Sequence, residues 1–240
     1  MHNPLYQLAQ NKYDAAQKIL VAVDCIIFGF DDGVLKVLAF KRKVEPFCGS
    51  WSLIGSFVAE NESTDEAAKR VLFEITGLKN IFMEELKTYS SVTRDPGARC
   101  ISIGQYALIS LSKKNKKLTE THGAEWLSII DLPELVLDHQ QMVADALERL
   151  RNKARFYPIG LELLPKKFTI PQLQSLYEEL FQLLFDTRNF RKKLLSLNML
   201  IQLDEKDKTS SKKGAYLYEF DYDKYNTLKN KGFNFSLFKS

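Results

Sequence analysis

The sequence predicts a two-domain α+β protein, and three observations predict it. Two β-branched runs near the N-terminus, ILVAVDCIIFGF (19–30) and VLKVLAFKRK (34–43), read as strands. Within the same half, TDEAAKRVLFEITGL (64–78) repeats Ala67, Ala68, Val71, Leu72 and Ile75 at helical spacing. Beyond a proline-bearing stretch, FYPIGLELLPKK (156–167), the order changes to helix, turn, basic helix and basic hairpin. A chain of 240 residues with 45% hydrophobic and 27% charged residues has room for two modest domains. The boundary is placed in the proline stretch, giving domains 1–155 and 156–240.

In chain order, Asp31, Asp32 and Gly33 supply the turn that makes the first two runs a hairpin. SLIGSFV (52–58) follows as a strand, and the 64–78 helix is expected to start on a Thr64 cap and stop at Gly77. Further strands are expected in FMEELKTYSSV (82–92), RCISIGQYALISL (99–111) and GAEWLSI (123–129), then an amphipathic helix in HQQMVADALERLRNKA (139–154). In the second domain, FTIPQLQSLYEELFQ (168–182) has Thr169 as cap, Pro171 in the first turn and Leu173, Leu176, Tyr177 and Leu180 on one face. Asp186 or Thr187 caps RNFRKKLLSL (188–197), and NMLIQLDE (198–205) and GAYLYEFD (214–221) form a hairpin around the loop KDKTSSKK.

Composition narrows the function classes. No apolar stretch reaches the roughly 18 residues of a membrane helix, and the N-terminus has no readable secretory pattern, so a cytoplasmic location without membrane association is expected. Cys25, Cys48 and Cys100 are odd in number and widely spaced, with only His2, His122 and His139 beside them, which argues against a disulfide framework or a zinc site. Charge divides unevenly: residues 1–150 hold 17 Lys/Arg and 20 Asp/Glu, residues 151–240 hold 17 and 10. The C-terminal domain is the basic one, the sign expected of a nucleic-acid partner.

GSFVAENESTDEAAKRVLFEITGL (55–78), preceded by GSWSLI, resembles the Nudix box of the nucleoside-diphosphate-linked hydrolases, a strand, loop and helix. Glu62, Arg70, Leu72, Glu74, Gly77 and Leu78 occupy matching positions, while Ser56, next to Gly55, replaces the motif's first glycine. Val71 and Ile75 stand where that family carries metal-binding glutamates. Carboxylates at i, i+3 and i+4 share one helix face and hold Mg²⁺ against a diphosphate; an aliphatic side chain gives the ion neither charge nor lone pair. The resemblance therefore implies a Nudix-like α/β/α sandwich without hydrolysis, with no catalytic residue, bound metal or cofactor, and with Glu74 pairing with Arg70 at i, i+4. SVTRDPGARCISIGQYALI (91–109) looks like the substrate-side strand of ADP-ribose-type Nudix proteins. Arg94 and Arg99 are the expected effector contacts there, with Glu62 and Glu74 of the box.

The C-terminal order is that of a winged helix-turn-helix, whose second helix enters the major groove while its hairpin lies over the backbone. Arg188, Asn189, Arg191, Lys192 and Lys193 are the residue types that read base edges and clamp phosphates; Lys206, Lys208, Lys212 and Lys213 belong to the wing. With the degenerate box, the whole chain is similar to the Nudix-related transcriptional regulators of the NrtR type over about residues 15–225. That resemblance implies a homodimer binding a palindromic double-stranded DNA operator and sensing a small sugar-containing effector. Loss of the metal carboxylates directs the expectation first to an unphosphorylated pentose such as arabinose, and next to ADP-ribose. Two other readings stand beside it. One is an active Nudix hydrolase using Glu60, Glu62 or Glu85; the other is an interaction module for RNA or protein, although no GXXG loop or RRM-type aromatic motif lies in the basic region.

Overall fold

The computed structural model describes residues 16–157, 159, 161–208 and 213–230. Its largest element is a mixed sheet of β1 (Leu20–Asp31), β2 (Val34–Lys41), β3 (Trp51–Ser52), β4 (Ile54–Phe57), β5 (Glu84–Tyr89), β6 (Cys100–Ser110) and β7 (Ala124–Ser128). The main path runs β3-β2-β1-β6-β5, with β4 paired to β1 and β7 to β2. β1 and β6 are parallel from Leu20↔Cys100 to Phe30↔Ser110.

This central position explains why β1 is a continuous apolar run. Strand side chains alternate, and both faces of β1 are covered. Val23, Cys25 and Ile27 pack with Ala67, Ala68, Val71 and Leu72 of α1 (Thr64–Thr76). Ile26, Phe28 and Phe30 pack with Met142, Val143, Ala146 and Leu150 of α3 (His139–Phe156). The expected α/β/α sandwich is the result. Asp24 is the charged interruption of that run and is itself buried.

Two local readings are revised. The cap of α1 is Ser63, one residue before the expected Thr64: its Oγ accepts from the Glu66 amide at 3.3 Å and the Glu66 carboxylate accepts from the Ser63 amide at 2.8 Å. The Ser-x-x-Glu pair closes a capping box that begins one position earlier. Gly77 ends the helix as expected, in the left-handed region at φ 74°. A further helix, α2 (Lys113–Thr121), was not foreseen because KKNKKLTET has no apolar stripe; it is capped by Ser112 and docked through Thr119, whose Oγ1 accepts from Trp126 Nε1 at 3.1 Å.

The second half contains a 3₁₀ turn (Leu161–Leu163), β8 (Phe168–Thr169), α4 (Ile170–Phe181), α5 (Thr187–Ser196), β9 (Leu200–Asp207), β10 (Ala215–Phe220) and α6 (Tyr222–Asn230). β8 and α6 were not foreseen. Thr169 and Gln172 close a capping box on α4, and the Asp186 carboxylate accepts from the Asn189 amide at 2.8 Å to cap α5. β10 lies between β8 and β9 in a three-stranded antiparallel sheet, completing the wing. The helix-turn-helix core is a chain of rings from Tyr177 and Phe181 through Phe185 to Phe190, with neighbouring centroids 5.8–6.3 Å apart.

The two halves share one apolar cluster, in which Phe28, Leu35 and Leu150 join Leu173, Leu176 and Tyr177. Two polar ties reinforce it: the Leu35 amide donates to Glu179 Oε2 at 3.0 Å, and Arg151 Nε donates to the Leu180 carbonyl at 2.7 Å. No helix among the described residues is long and apolar enough to cross a membrane.

The cap assignment has a measurable consequence. Ser63→Ala should lower stability by about 1 kcal/mol and Thr64→Ala by less than half of that, read from urea midpoints at unchanged m-value. Equal losses would return the cap to Thr64.

Candidate functional site

A cavity of about 460 Å³ opens beside the box helix α1, within the size range of small-molecule sites. Its floor is a buried polar network reached by Asp24 of β1, Ser52 of β3, Arg94 of the β5–β6 loop, and His139 at the start of α3. Asp24 Oδ2 accepts from Ser102 Oγ at 2.6 Å and from Arg94 Nη2 at 3.5 Å. The Arg94 fork also meets Asp138, with Nη2 2.8 Å from Oδ1 and Nε 3.0 Å from Oδ2. A guanidinium with only 3% of its side chain exposed thus lies between two carboxylates, one on the sheet and one at the head of α3.

Gly55 makes room for this arrangement. It pairs with Asp24 across β1 and β4, and a Cβ there would stand 2.0 Å from Asp24 Oδ1. His139 Nδ1 accepts from the Leu53 amide at 3.1 Å, so the ring proton is assigned to Nε2, which faces Asp24 Oδ1 at 3.4 Å. Burial holds the imidazole pKa below its ordinary value, against the opposing pull of Asp24 and Asp138.

The walls are different in character. Val71, Glu74 and Ile75 of α1 line one side with Phe57, and Arg42, Lys43, Val44 and Pro46 of the β2–β3 loop line the rim. Val71 is completely buried and Ile75 packs beside it in the apolar cluster under α1. Glu74 faces the cavity but is ion-paired to Arg70 at 3.1 Å. Arg70 also grips Glu62 through Nε at 2.9 Å and Nη2 at 2.5 Å, and these hydrogen bonds, with that from the Ala59 amide, hold the Glu62 pKa at about 2. A divalent cation needs converging oxygen ligands. Two aliphatic side chains and one committed carboxylate do not fit it, and among the described residues no three Asp, Glu, His or Cys side chains converge elsewhere to do so.

Of the expected effector contacts, Arg94 and Glu74 line the cavity, whereas Glu62 and Arg99 do not. Glu62 braces the box loop, as described. Arg99 donates to the main-chain carbonyls of Ser90, Ser91 and Cys100 at 3.1–3.3 Å, so its charge is spent on closing the β5–β6 loop. Asp24, His139, Arg42 and Lys43 were missed. The lone acid within ILVAVDCIIFGF was the signal that could have placed Asp24 at the cavity; nothing local marked the others.

In the second half, α5 turns Phe190 and Leu194 inward and leaves Arg188, Asn189, Arg191 and Lys192 exposed, with Lys193 half-buried. Lys206 on β9 lies over the Tyr216 ring, 4.3 Å from its centroid, and Lys208 and Lys213 are exposed at the wing. Lys212 lies outside the described residues.

Residues 18–146 match the model of the Nudix domain. The chain belongs to the Nudix family. Residues 160–220 match the NrtR DNA-binding winged helix domain, so the Nudix domain is followed by an NrtR-type winged helix in a transcription-regulator architecture. The chain is 29% identical over 223 residues to the ADPR responsive transcriptional repressor NtrR of Acinetobacter baylyi, covering 90% of this chain and 89% of that protein. It superposes on Shewanella oneidensis NrtR in complex with a 27mer DNA with a TM-score of 0.73 at 28% identity, over 90% and 97% of the two chains. The Nudix domain of the same Shewanella protein, in complex with ADP ribose, matches with a TM-score of 0.53 at 30% identity, over 62% of this chain and 99% of that one. An ADP-ribose pyrophosphatase of Methanocaldococcus jannaschii is 36% identical over 118 residues, 48% of this chain and 69% of that enzyme.

The buried imidazole predicts a pH dependence. Because the folded-state pKa of His139 is lowered, the unfolded chain binds more protons as pH falls through about 6.5, so this group's contribution is complete above that value and is lost on acidification. Urea midpoints at pH 7 and pH 5.5 should differ less for His139→Gln than for the unaltered protein. An equal difference in the two would show that His139 does not carry it.

Proposed function

We propose that this protein is an ADP-ribose-responsive, DNA-binding transcriptional repressor with a catalytically silent Nudix domain at 1–155 and a DNA-binding domain at 156–240. The observation that carries the reading is the path of α3. The helix begins at Asp138 and His139 on the cavity floor and, through Arg151, ends against α4 of the helix-turn-helix. A ligand that draws Arg94 or displaces its partners alters the seat of α3, and α3 bears on the DNA-binding half. The names of the Acinetobacter and Shewanella relatives, and the ADP ribose and DNA held in the Shewanella structures, favour ADP-ribose over the pentose expected from the box alone.

On DNA, the exposed start of α5 supplies base readout through Arg188 and Asn189, and Arg191, Lys192 and Lys193 hold phosphates. Lys206, Lys208, Lys212 and Lys213 place the wing on the backbone. A homodimer presents two such helices about a two-fold axis and binds a palindrome. Gel-shift titration on a selected operator tests this: Arg188→Ala should cost about 1–3 kcal/mol and relax discrimination at one base position. Lys213→Ala should weaken all duplexes alike and reduce the salt slope by about one. Equal affinity of the unaltered protein for operator and scrambled duplex would remove the regulator reading.

The hydrolase reading is favoured by likeness to the Methanocaldococcus enzyme and opposed by Val71 and Ile75. Incubation with ADP-ribose and Mg²⁺ should release no AMP above a control without protein. Metal-dependent turnover abolished by Glu74→Gln would reinstate the enzyme.

A further inference from the structure

A second cavity, of about 310 Å³, lies where the two halves meet, and it shares no lining residue with the cavity beside α1. Its walls come from three parts of the chain. Glu84 opens β5 and Tyr106 to Ile109 belong to β6, Leu150 and Lys153 stand on the second half of α3, and Ile159 follows that helix. Cys100, the β6 residue that lines the first cavity, precedes Tyr106 by six positions, which separates the two sites by on the order of 20 Å along the strand. Ile159 ties this cavity to the winged-helix half, because its carbonyl accepts from the Tyr177 hydroxyl of α4 at 3.4 Å.

One end of this cavity is polar, and its charges are equal and opposite. Glu84 and Lys153 are the charged residues that line it, and they are ion-paired; Asn80, also in the lining, is neutral. The hydroxyl of Tyr106, a residue only 3% exposed, donates to Glu84 Oε2 at 3.2 Å. Burial works against the Lys153 ammonium, yet its hydrogen bonds to Glu84 and Tyr106 outweigh burial and hold its pKa above the ordinary value, so it stays a cation. An ammonium carries three N–H groups and a carboxylate two oxygens. Glu84 and Tyr106 occupy two of those N–H groups, while both bonds to the carboxylate fall on Oε2, so that among the described residues Oε1 accepts none. A donor and an acceptor are left side by side. Apolar residues form the remaining wall, with Ile81, Leu108, Leu150 and Ile159 beside Phe82, which leaves 81% of its surface in water. A ring so exposed at the edge of a cavity is a shelf for another ring.

We infer that this junction cavity binds a neutral planar ring carrying a carboxamide, with the amide carbonyl on the Lys153 ammonium, the amide NH₂ on Glu84 Oε1 and the ring on Phe82. The amide edge presents an acceptor and a donor side by side, the complement of what the pair leaves open. A carboxylate in the same place would meet Glu84, and an ammonium would meet Lys153, so either charge gains one attraction and suffers one repulsion on losing water. The site stands apart from the cavity beside α1 and from the DNA-binding surface.

The test is titration of the full-length chain, followed by ligand-observed NMR, with three probes that share one ring: benzamide, benzoate and benzylammonium. Benzamide is expected to bind with a Kd of about 1–5 mM, and the two charged probes about tenfold more weakly. Phe82→Ala should weaken benzamide about fivefold at an unchanged urea midpoint, since Phe82 packs in neither apolar cluster and its loss does not disturb the fold. Exchanging the charges should exchange the preference. Glu84→Gln leaves the site with a net positive charge, so benzoate should overtake benzamide, and Lys153→Gln should let benzylammonium do so. Absence of benzamide binding at about 20 mM, equal affinity for the three probes, or an unchanged benzamide affinity in Phe82→Ala would each overturn the inference. Retention of the benzamide preference in folded Glu84→Gln and Lys153→Gln would overturn it as well.

Discussion

The structure turns on a single guanidinium. Arg94 reaches from a surface loop into the interior and is held there by Asp24 on the central strand and Asp138 at the head of α3. Taking one partner from a buried pair of this kind leaves a charge without water or counter-ion, at about 3–5 kcal/mol. The glycine at 55, the capping of Leu53 by His139 and the hydroxyl of Ser102 all serve the same small volume. Sheet, loop and connecting helix are therefore fixed to each other at the floor of the cavity beside α1. In the proposed reading, a ligand entering the cavity meets the network that also seats α3.

The two aliphatic residues of the box carry two effects together. Val71 is buried among Val23, Ile54 and Ala68, where its methyl groups strengthen the cluster that a carboxylate would have interrupted. Its presence also removes the oxygen that would coordinate a cation. In the proposed reading, the gain in packing and the missing metal ligand come from one and the same side chain. Arg70 illustrates what persists: it clasps Glu62 and Glu74 and so preserves the loop-helix shape of the box.

Much of the fold was legible, for reasons specific to each element. β1 and β2 announced themselves because β-branched residues crowd a strand buried on both faces, and α4 because Thr169, Pro171 and a clean apolar stripe agree. α2 was hidden because its stability comes from Ser112 and from a contact between Thr119 and Trp126, which no periodicity encodes. The site was less legible than the fold. Arg94 was found by its type, but Arg99, five residues on, was indistinguishable from it until the loop closed and the two side chains parted. His139 read as the first residue of an amphipathic helix, and its role depends on a backbone amide 86 positions earlier. Long-range pairing of this kind leaves no local trace.

The ties between the halves have a geometric consequence. The β1–β2 hairpin reaches Glu179 through the Leu35 amide, and α3 reaches Leu180 through Arg151, so both grip neighbouring residues at the last turn of α4. Around these ties the shared apolar cluster of Phe28, Leu35, Leu150, Leu173, Leu176 and Tyr177 extends the contact, so the two halves are joined over a broad packed surface. The seat of α3 and the last turn of α4 are therefore linked by packed side chains and a buried-end hydrogen bond, and not by a free linker alone.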